Sequence, residues 1–267
     1  MNSQALRLLA LGLGFAFLYG PILWIVLFSF NDSRLVTVWS GFSTRWYADL
    51  AKNERLLDAA VLSLIVAAIS ATLATGLGAL AGFGLARMGR SRGRGLMSGA
   101  LGALLTLPEV ILGLAFLLAF VSLDDWLGRF VERGVTTIVI AHATLGMAYV
   151  SMVVRARLAD FDRALEEAAL DLGATPSTVF FSITLPLILP ALAAGWLIAF
   201  MISLDDVVLA SFVSGPGATT LPMVVFSSAR LGLNPQINAL ATLMVAGGLC
   251  VMAAALWLMR RKEASPR

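Results

Sequence analysis

The chain has 267 residues, of which 59% are hydrophobic and only 13% charged, and its mean hydropathy is +0.90. That balance belongs to a polytopic membrane protein and excludes an ordinary globular enzyme; at about 20 residues per crossing the length holds six spans and short loops, with no room for a separate soluble domain. The formal charge of +3 does not indicate nucleic acid, because the basic residues follow membrane topology, and the single cysteine, Cys250, excludes an intramolecular disulfide and a cysteine-based metal site.

The first apolar run, Leu8 to Phe30, is longer than the core of a signal peptide and has no small-residue cleavage site at its end. It is expected to be the first membrane helix, kinked at Pro21. The polar stretch Asn31 to Asp58 sets Trp39, Trp46 and Tyr47 among charges, the pattern of a segment lying along the bilayer surface. A second run, Ala59 to Ala86, carries Gly78 and Gly82 in a GxxxG spacing that lets another helix approach closely. After a basic turn with Arg87, Arg90, Arg92 and Arg94 comes the third run, Leu96 to Val121, interrupted by Pro108-Glu109. An acidic loop, Ser122 to Gly134, leads to the fourth run, Val135 to Val154. This run holds the single histidine, His142, which is expected to be a packed, hydrogen-bonded structural residue, since one histidine makes a poor metal site. The fifth run, Leu187 to Val213, contains Asp205-Asp206; a Gly/Pro-rich stretch, SGPGATTLP, precedes the sixth, Ile237 to Met259, and a basic tail.

With the N-terminus inside, twelve of the 19 lysines and arginines lie on the cytoplasmic side and seven outside, which places both termini in the cytoplasm. The segment Asp160 to Pro190 between the fourth and fifth runs is then cytoplasmic too. Within it Leu165, Ala168, Ala169 and Leu172 form an apolar stripe at helical steps, with Asp162, Glu166 and Asp171 off it. Gly173 supplies the left-handed conformation that ends a helix, and Pro176 prevents its resumption from inside. Helix, elbow, short helix is the expected order.

In this segment Glu167, Ala168, Ala169, Gly173, Ile183, Leu185 and Pro186 match, gap-free, the pattern EAA, three residues, G, nine residues, I-x-LP. The chain thereby resembles the permease subunits of bacterial ATP-binding-cassette importers. The resemblance implies an all-α type I importer permease fold with six transmembrane helices (about 8–30, 59–86, 96–121, 135–154, 187–213 and 237–259) in one domain spanning residues 1–267, in the bacterial inner membrane. It also implies a cytoplasmic coupling loop over residues 160–181, contacting an ATPase through Glu167, Ala168, Ala169, Gly173, Ala174, Thr175, Pro176 and Phe180. The implied partners are a homologous second permease subunit, two copies of a cytoplasmic ATPase and a periplasmic polyamine-binding protein, all in membrane lipid.

No catalytic residue, metal site or cofactor is expected on this chain. Its two lysines, Lys52 and Lys262, cannot belong to a G-x-x-x-x-G-K-[ST] phosphate loop, so ATP hydrolysis belongs on another chain. What remains unusual is three acids well inside apolar runs, Glu109, Asp205 and Asp206. A carboxylate at the centre of a membrane helix costs about 3 kcal/mol on insertion scales. Either these acids line a path for a cation, or they pair with arginines such as Arg155 or cap broken helices. Trp46 is either an aromatic face for an ammonium or an interfacial anchor. The segments VTVWSGFSTRWYADL and SLDDVVLASFVSGPGATTLPMVVFSSARLGLNPQINALATL resemble the spermidine/putrescine branch of the family, and especially its putrescine-importing members. That resemblance implies a substrate path through Trp46, Glu109, Ser203, Asp205 and Asp206. Relatives often carry aspartate at the third-span position; Glu109 keeps the charge on a longer arm. A permease for another small solute and a secondary transporter are the alternatives, and the latter leaves the EAA pattern unexplained.

Overall fold

The computed structural model describes residues 3–35, 37–89, 91–127, 132–231 and 235–263. Arg90 and Arg129 of the charge count, residues 128–131 of the Ser122–Gly134 stretch, residues 232–234 and residues 264–267 of the tail lie outside the described residues. Among the described residues the chain is all helix, apart from one isolated bridge between Asn31 and Phe42. The helices are α1 (Ser3–Phe28), α2 (Arg45–Ala51), α3 (Glu54–Arg87), α4 (Arg92–Thr106), α5 (Glu109–Leu127), α6 (Val135–Ala159), α7 (Ala164–Asp171) and α8 (Pro176–Val179). A π-helical turn, Phe180–Thr184, leads into α9 (Leu185–Asp205), followed by α10 (Val208–Val213), α11 (Leu221–Leu231) and α12 (Pro235–Glu263).

Four of these stretches are long and apolar enough to cross a bilayer: Arg7–Phe28, Glu54–Arg87, Val135–Ala159 and Pro176–Asp205. The third expected span is not one interrupted helix but two, α4 and α5, bent by 118°. The cause is local: Pro108 has no N–H to donate and forces the preceding residue out of the helical region, and Leu107 is extended at φ −73°, ψ 140°. The fifth expected span is also shorter at its far end. Its helix stops at Asp205, Asp206 is extended at φ −68°, ψ 128°, and α10 is a separate short helix.

The chain forms two compact units, Met1–Leu57 with Val225–Arg267, and Asp58–Val224. In the first, α12 packs on α1 and α2. Asn31, 1% exposed, organises the loop after α1: its amide donates to Val38 O (2.7 Å) and accepts from Ser40 N (2.9 Å). Asn53 Nδ2 donates to Gln236 Oε1 (2.6 Å), tying the connection between α2 and α3 to the start of α12.

In the second unit α6 is the central helix and packs along α9. Its small residues let the neighbours close in. A Cβ added at Gly78 would stand 2.6 Å from Val150 Cβ, and one at Gly82 2.7 Å from Ser151 O, so the GxxxG face of α3 meets the backbone of α6. Gly146 makes the same kind of approach to Ala74 and Ala199. The core around these contacts holds Ala71, Ala74, Val150, Val154, Ile188 and Ala199. A second cluster joins Leu112 of α5, Ile138 and Leu145 of α6, and Leu209, Ala210 and Val213 of α10.

Candidate functional site

The α9–α10 corner concentrates the unusual polar residues. His142, on α6, is 4% exposed. Its Nδ1 lies 2.6 Å from Ser203 Oγ and its Nε2 3.1 Å from Asp206 Oδ2. The side chains of the His142–Asp206 pair are 2% and 6% exposed. The Asp206 carboxylate has two further partners, accepting from Leu209 N (3.1 Å) and Ala210 N (2.7 Å). It therefore caps α10 while bridging to α6, satisfying backbone donors that a helix start leaves open. The far end of α10 is fixed as well, since Thr137 Oγ1 donates to Val213 O (2.6 Å).

Asp205 differs from its neighbour. It is exposed, it is the last residue of α9, and among the described residues no side chain is placed against it by a hydrogen bond or ion pair. Its carboxylate stands at the helix end where unpaired carbonyls already gather negative charge, an arrangement that favours a cation. Glu109 is likewise exposed and opens α5 just past the Pro108 break. One turn on, Leu112 and Gly113 pack against α10: a Cβ at Gly113 would meet Phe212 Cδ2 at 2.5 Å. The structure thus brings Ser203, Asp206 and His142 together, and leaves Asp205 and Glu109 as exposed carboxylates at two helix breaks.

Trp46, in the other unit, is 5% exposed. Its Nε1 donates to Asn31 O (2.6 Å), and the Arg45 guanidinium sits 4.2 Å from its ring centroid. A cation already covers this ring face, and it comes from the chain itself.

The expected coupling loop is folded as helix, elbow and short helix. Gly173 has φ +87°, Gly173 N donates to Leu170 O (2.9 Å) and Ala174 N to Ala169 O (3.0 Å), which closes α7 in a Schellman motif. Thr175 caps α8, its Oγ1 accepting from Thr178 N, with Pro176 at the first helical position. Glu167, Ala168, Thr175 and Pro176 are exposed, and Ala169 and Ala174 half-buried. Phe180 turns inward, edge-on to Phe83 of α3 (5.5 Å between centroids). Leu165, Leu172 and Phe181 face out, Leu172 at 89% exposure. Sequence pattern did not single out what anchors this loop. Glu166 pairs with Arg87 at the end of α3 and accepts from Thr184 Oγ1 (2.5 Å), and Arg163 Nη2 donates to Ala86 O (2.9 Å). Only the position of Glu166, off the apolar stripe, hinted at a polar role.

Comparisons with known proteins show the family. Residues 74–264 match the family described as binding-protein-dependent transport system inner membrane component. The chain is 54% identical over 257 residues to the putrescine transport system permease protein PotI of Escherichia coli K12, covering 96% of this chain and 92% of that one. It is 39% identical to the spermidine/putrescine transport system permease protein PotC of the same organism, over 93% and 91% of the two chains. Among solved structures, a bacterial transporter importing the acidic polysaccharide alginate shares the fold with a TM-score of 0.72 at 15% identity, over 96% of this chain and 95% of that one. The MetNI methionine transporter, inward-facing, follows at 0.59 and 18%, over 79% and 96%. The chain accordingly belongs to the binding-protein-dependent inner-membrane permeases of ATP-binding-cassette importers and, within them, to the spermidine/putrescine family.

Proposed function

We propose that this chain is one permease subunit of an ATP-driven importer that carries putrescine or a closely related polyamine into the cytoplasm. It makes no covalent change to its substrate. The observation that carries the substrate assignment is the pair of exposed carboxylates at helix breaks, Asp205 and Glu109, in a chain so similar to a putrescine permease. A diamine is charged at both ends, so its path needs at least two electronegative stations. At an effective dielectric near 20, a carboxylate and an ammonium about 4 Å apart attract by about 4 kcal/mol before desolvation is subtracted, a scale suited to passage rather than trapping. Ser203 and Asp206 belong to the same corner. Trp46, held by Asn31 and covered by Arg45, is better suited to anchoring its own segment than to receiving an ammonium.

The remaining parts follow the family. The chain spans the membrane six times in one domain, with the α4–α5 pair as a broken third span and α12, helical over 29 residues, as the sixth. Both termini face the cytoplasm. A second permease subunit completes the path, one of two ATPase copies docks on the α7–α8 loop through Glu167 to Phe181, and a periplasmic binding protein delivers the substrate. Closure of the ATPase dimer pushes on α7. Glu166 passes the push to α3 through Arg87 and to the start of α9 through Thr184, rocking the helices between inward-open and outward-open states.

The test is uptake by the complete complex in proteoliposomes. Asp205→Asn and Glu109→Gln keep shape and remove charge, and each is expected to cut putrescine uptake at least about tenfold, equivalent to about 1.4 kcal/mol, with assembly and basal ATP hydrolysis retained. Uptake near wild type in both variants overturns the cation path.

A further inference from the structure

Resting on the polyamine-importer reading, we infer that His142 is a positioning residue for cation binding: by holding Ser203 on one ring nitrogen and Asp206 on the other, it fixes the α9–α10 corner so that Asp205 alone is presented to the substrate. Ser203 and Asp206 are three residues apart, one helical turn, and so share the side of the chain that faces α6. Asp205 lies between them in sequence, about 100° from Asp206 and about 160° from Ser203 around a helix axis, and it is exposed where Ser203 is buried and the Asp206 side chain is only 6% exposed. With hydrogen on Nε2, the imidazole donates to Asp206 and accepts from the Ser203 hydroxyl. Every polar group of the three side chains then has a partner in a nearly dry site.

Thr137 and the apolar cluster hold α10 itself, but among the described residues the side chain bonded to Asp206 at the break is that of His142. Asp206 interrupts the helix with an extended backbone, and its two bonds to Leu209 N and Ala210 N hold it to α10 only. The link from Asp206 back to α6 passes through His142. Without it, a buried carboxylate loses its only side-chain partner at the break, and the orientation of Asp205 at the end of α9 is no longer set.

Substitutions that keep one nitrogen position at a time separate positioning from packing. The amide nitrogen of glutamine reaches the place of Nε2 and keeps the Asp206 contact; that of asparagine reaches the place of Nδ1 and keeps only Ser203. In the complete importer, His142→Ala and His142→Asn are each expected to raise the half-saturating putrescine concentration about tenfold, with the maximal rate within about twofold, while His142→Gln stays within about threefold of wild type. A second readout does not depend on which substrate is carried. In an otherwise cysteine-free complex, Asp205→Cys should react with a cationic methanethiosulfonate reagent at a rate that falls in the His142→Ala and His142→Asn backgrounds and returns with His142→Gln.

Equal behaviour of the glutamine and asparagine variants overturns the inference, as does loss of maximal rate at unchanged half-saturation, or failure of both amide variants to assemble. A wild-type complex that does not transport putrescine overturns the proposed substrate instead, and leaves the thiol-reactivity pattern to decide the role of His142.

Discussion

The α9–α10 corner and the α7–α8 loop solve opposite problems with the same residue types. At the corner, Asp206 is buried with three partners drawn from α6 and α10, and the apolar residues beside it, Leu209, Ala210 and Val213, are fully enclosed. At the loop, Glu166 is the inward residue and the leucines are outside, Leu165 at 54% and Leu172 at 89% exposure. The corner is complete within this chain. The loop is not: its polar side is used to hold it in place, and its outward leucines are left uncovered by the described residues. A buried carboxylate with every oxygen engaged is a fixed joint, and an exposed apolar face on an anchored helix is a contact surface.

The largest expected effect tests the corner. Asp206→Ala leaves the His142 N–H and the Leu209 and Ala210 amides without their acceptor in a nearly dry corner, and at about 1–3 kcal/mol for each buried group left unpaired it should lower the stability of the purified complex by about 3 kcal/mol in thermal or denaturant unfolding. Asp205→Ala should stay within about 0.5 kcal/mol, as an exposed surface change does. Similar destabilisation by both variants would remove the distinction between the two adjacent aspartates.

That two adjacent aspartates, about 100° apart on a helix, cannot share one narrow path was legible in the sequence; which of them is held inside was not. Both aspartates sit in one apolar run, no glycine or proline between Gly195 and Val213 marks a helix end, and the side chain that sets Asp206 apart, His142, lies on a helix some sixty residues earlier. His142 itself was legible as a packed, hydrogen-bonded residue, but its partners were not. The Pro108 interruption was visible; the 118° bend was not, because proline fixes where a helix stops and packing fixes where the next one goes. The loop was the most legible part. Gly173 and Pro176 dictate a local turn that needs no distant partner, and the structure has it with φ +87° at Gly173. Close packing through Gly78 and Gly82 was foreseen from spacing alone, and Val150 and Ser151 are what fills that spacing.

A somewhat smaller effect is expected at the elbow. A β-branched residue at φ +87° is strained by about 1–2 kcal/mol, so Gly173→Val should re-form the turn at the cost of the Schellman bonds. Transport and ATPase co-purification should both fall while the chain still inserts and pairs with its sister subunit. Retained ATPase binding and uptake would show that the loop is not the contact.

Leu172→Glu addresses the outward face directly. The side chain touches little of its own chain, so permease stability should be unchanged, whereas affinity for the ATPase subunit should drop about tenfold, or about 1.4 kcal/mol. Binding measured between the permease pair and the isolated ATPase separates these outcomes; a stability loss with normal binding would place Leu172 in the permease interior.

The subtlest change is Glu166→Gln, which sharpens the comparison by making the loop's anchor neutral without removing it. Glu166 stands between Arg87 and Thr184, and with Arg163 bonded to Ala86 it ties α7 to the ends of two spanning helices. Glutamine fills the same space and can still accept from Thr184, but it no longer attracts the guanidinium. The Arg87 and Glu166 side chains are 23% and 15% exposed, so solvent screens part of the lost attraction and the stability change should be only about 1 kcal/mol. Coupling should suffer more than stability. If Glu166 carries the ATPase stroke into α3, the variant should bind ATPase normally and hydrolyse ATP at close to the wild-type rate while transporting fewer substrate molecules per ATP. An unchanged transport-to-hydrolysis ratio, measured in the same proteoliposomes, would leave Glu166 a structural anchor and move the stroke to another contact of the loop, such as Phe180 against Phe83.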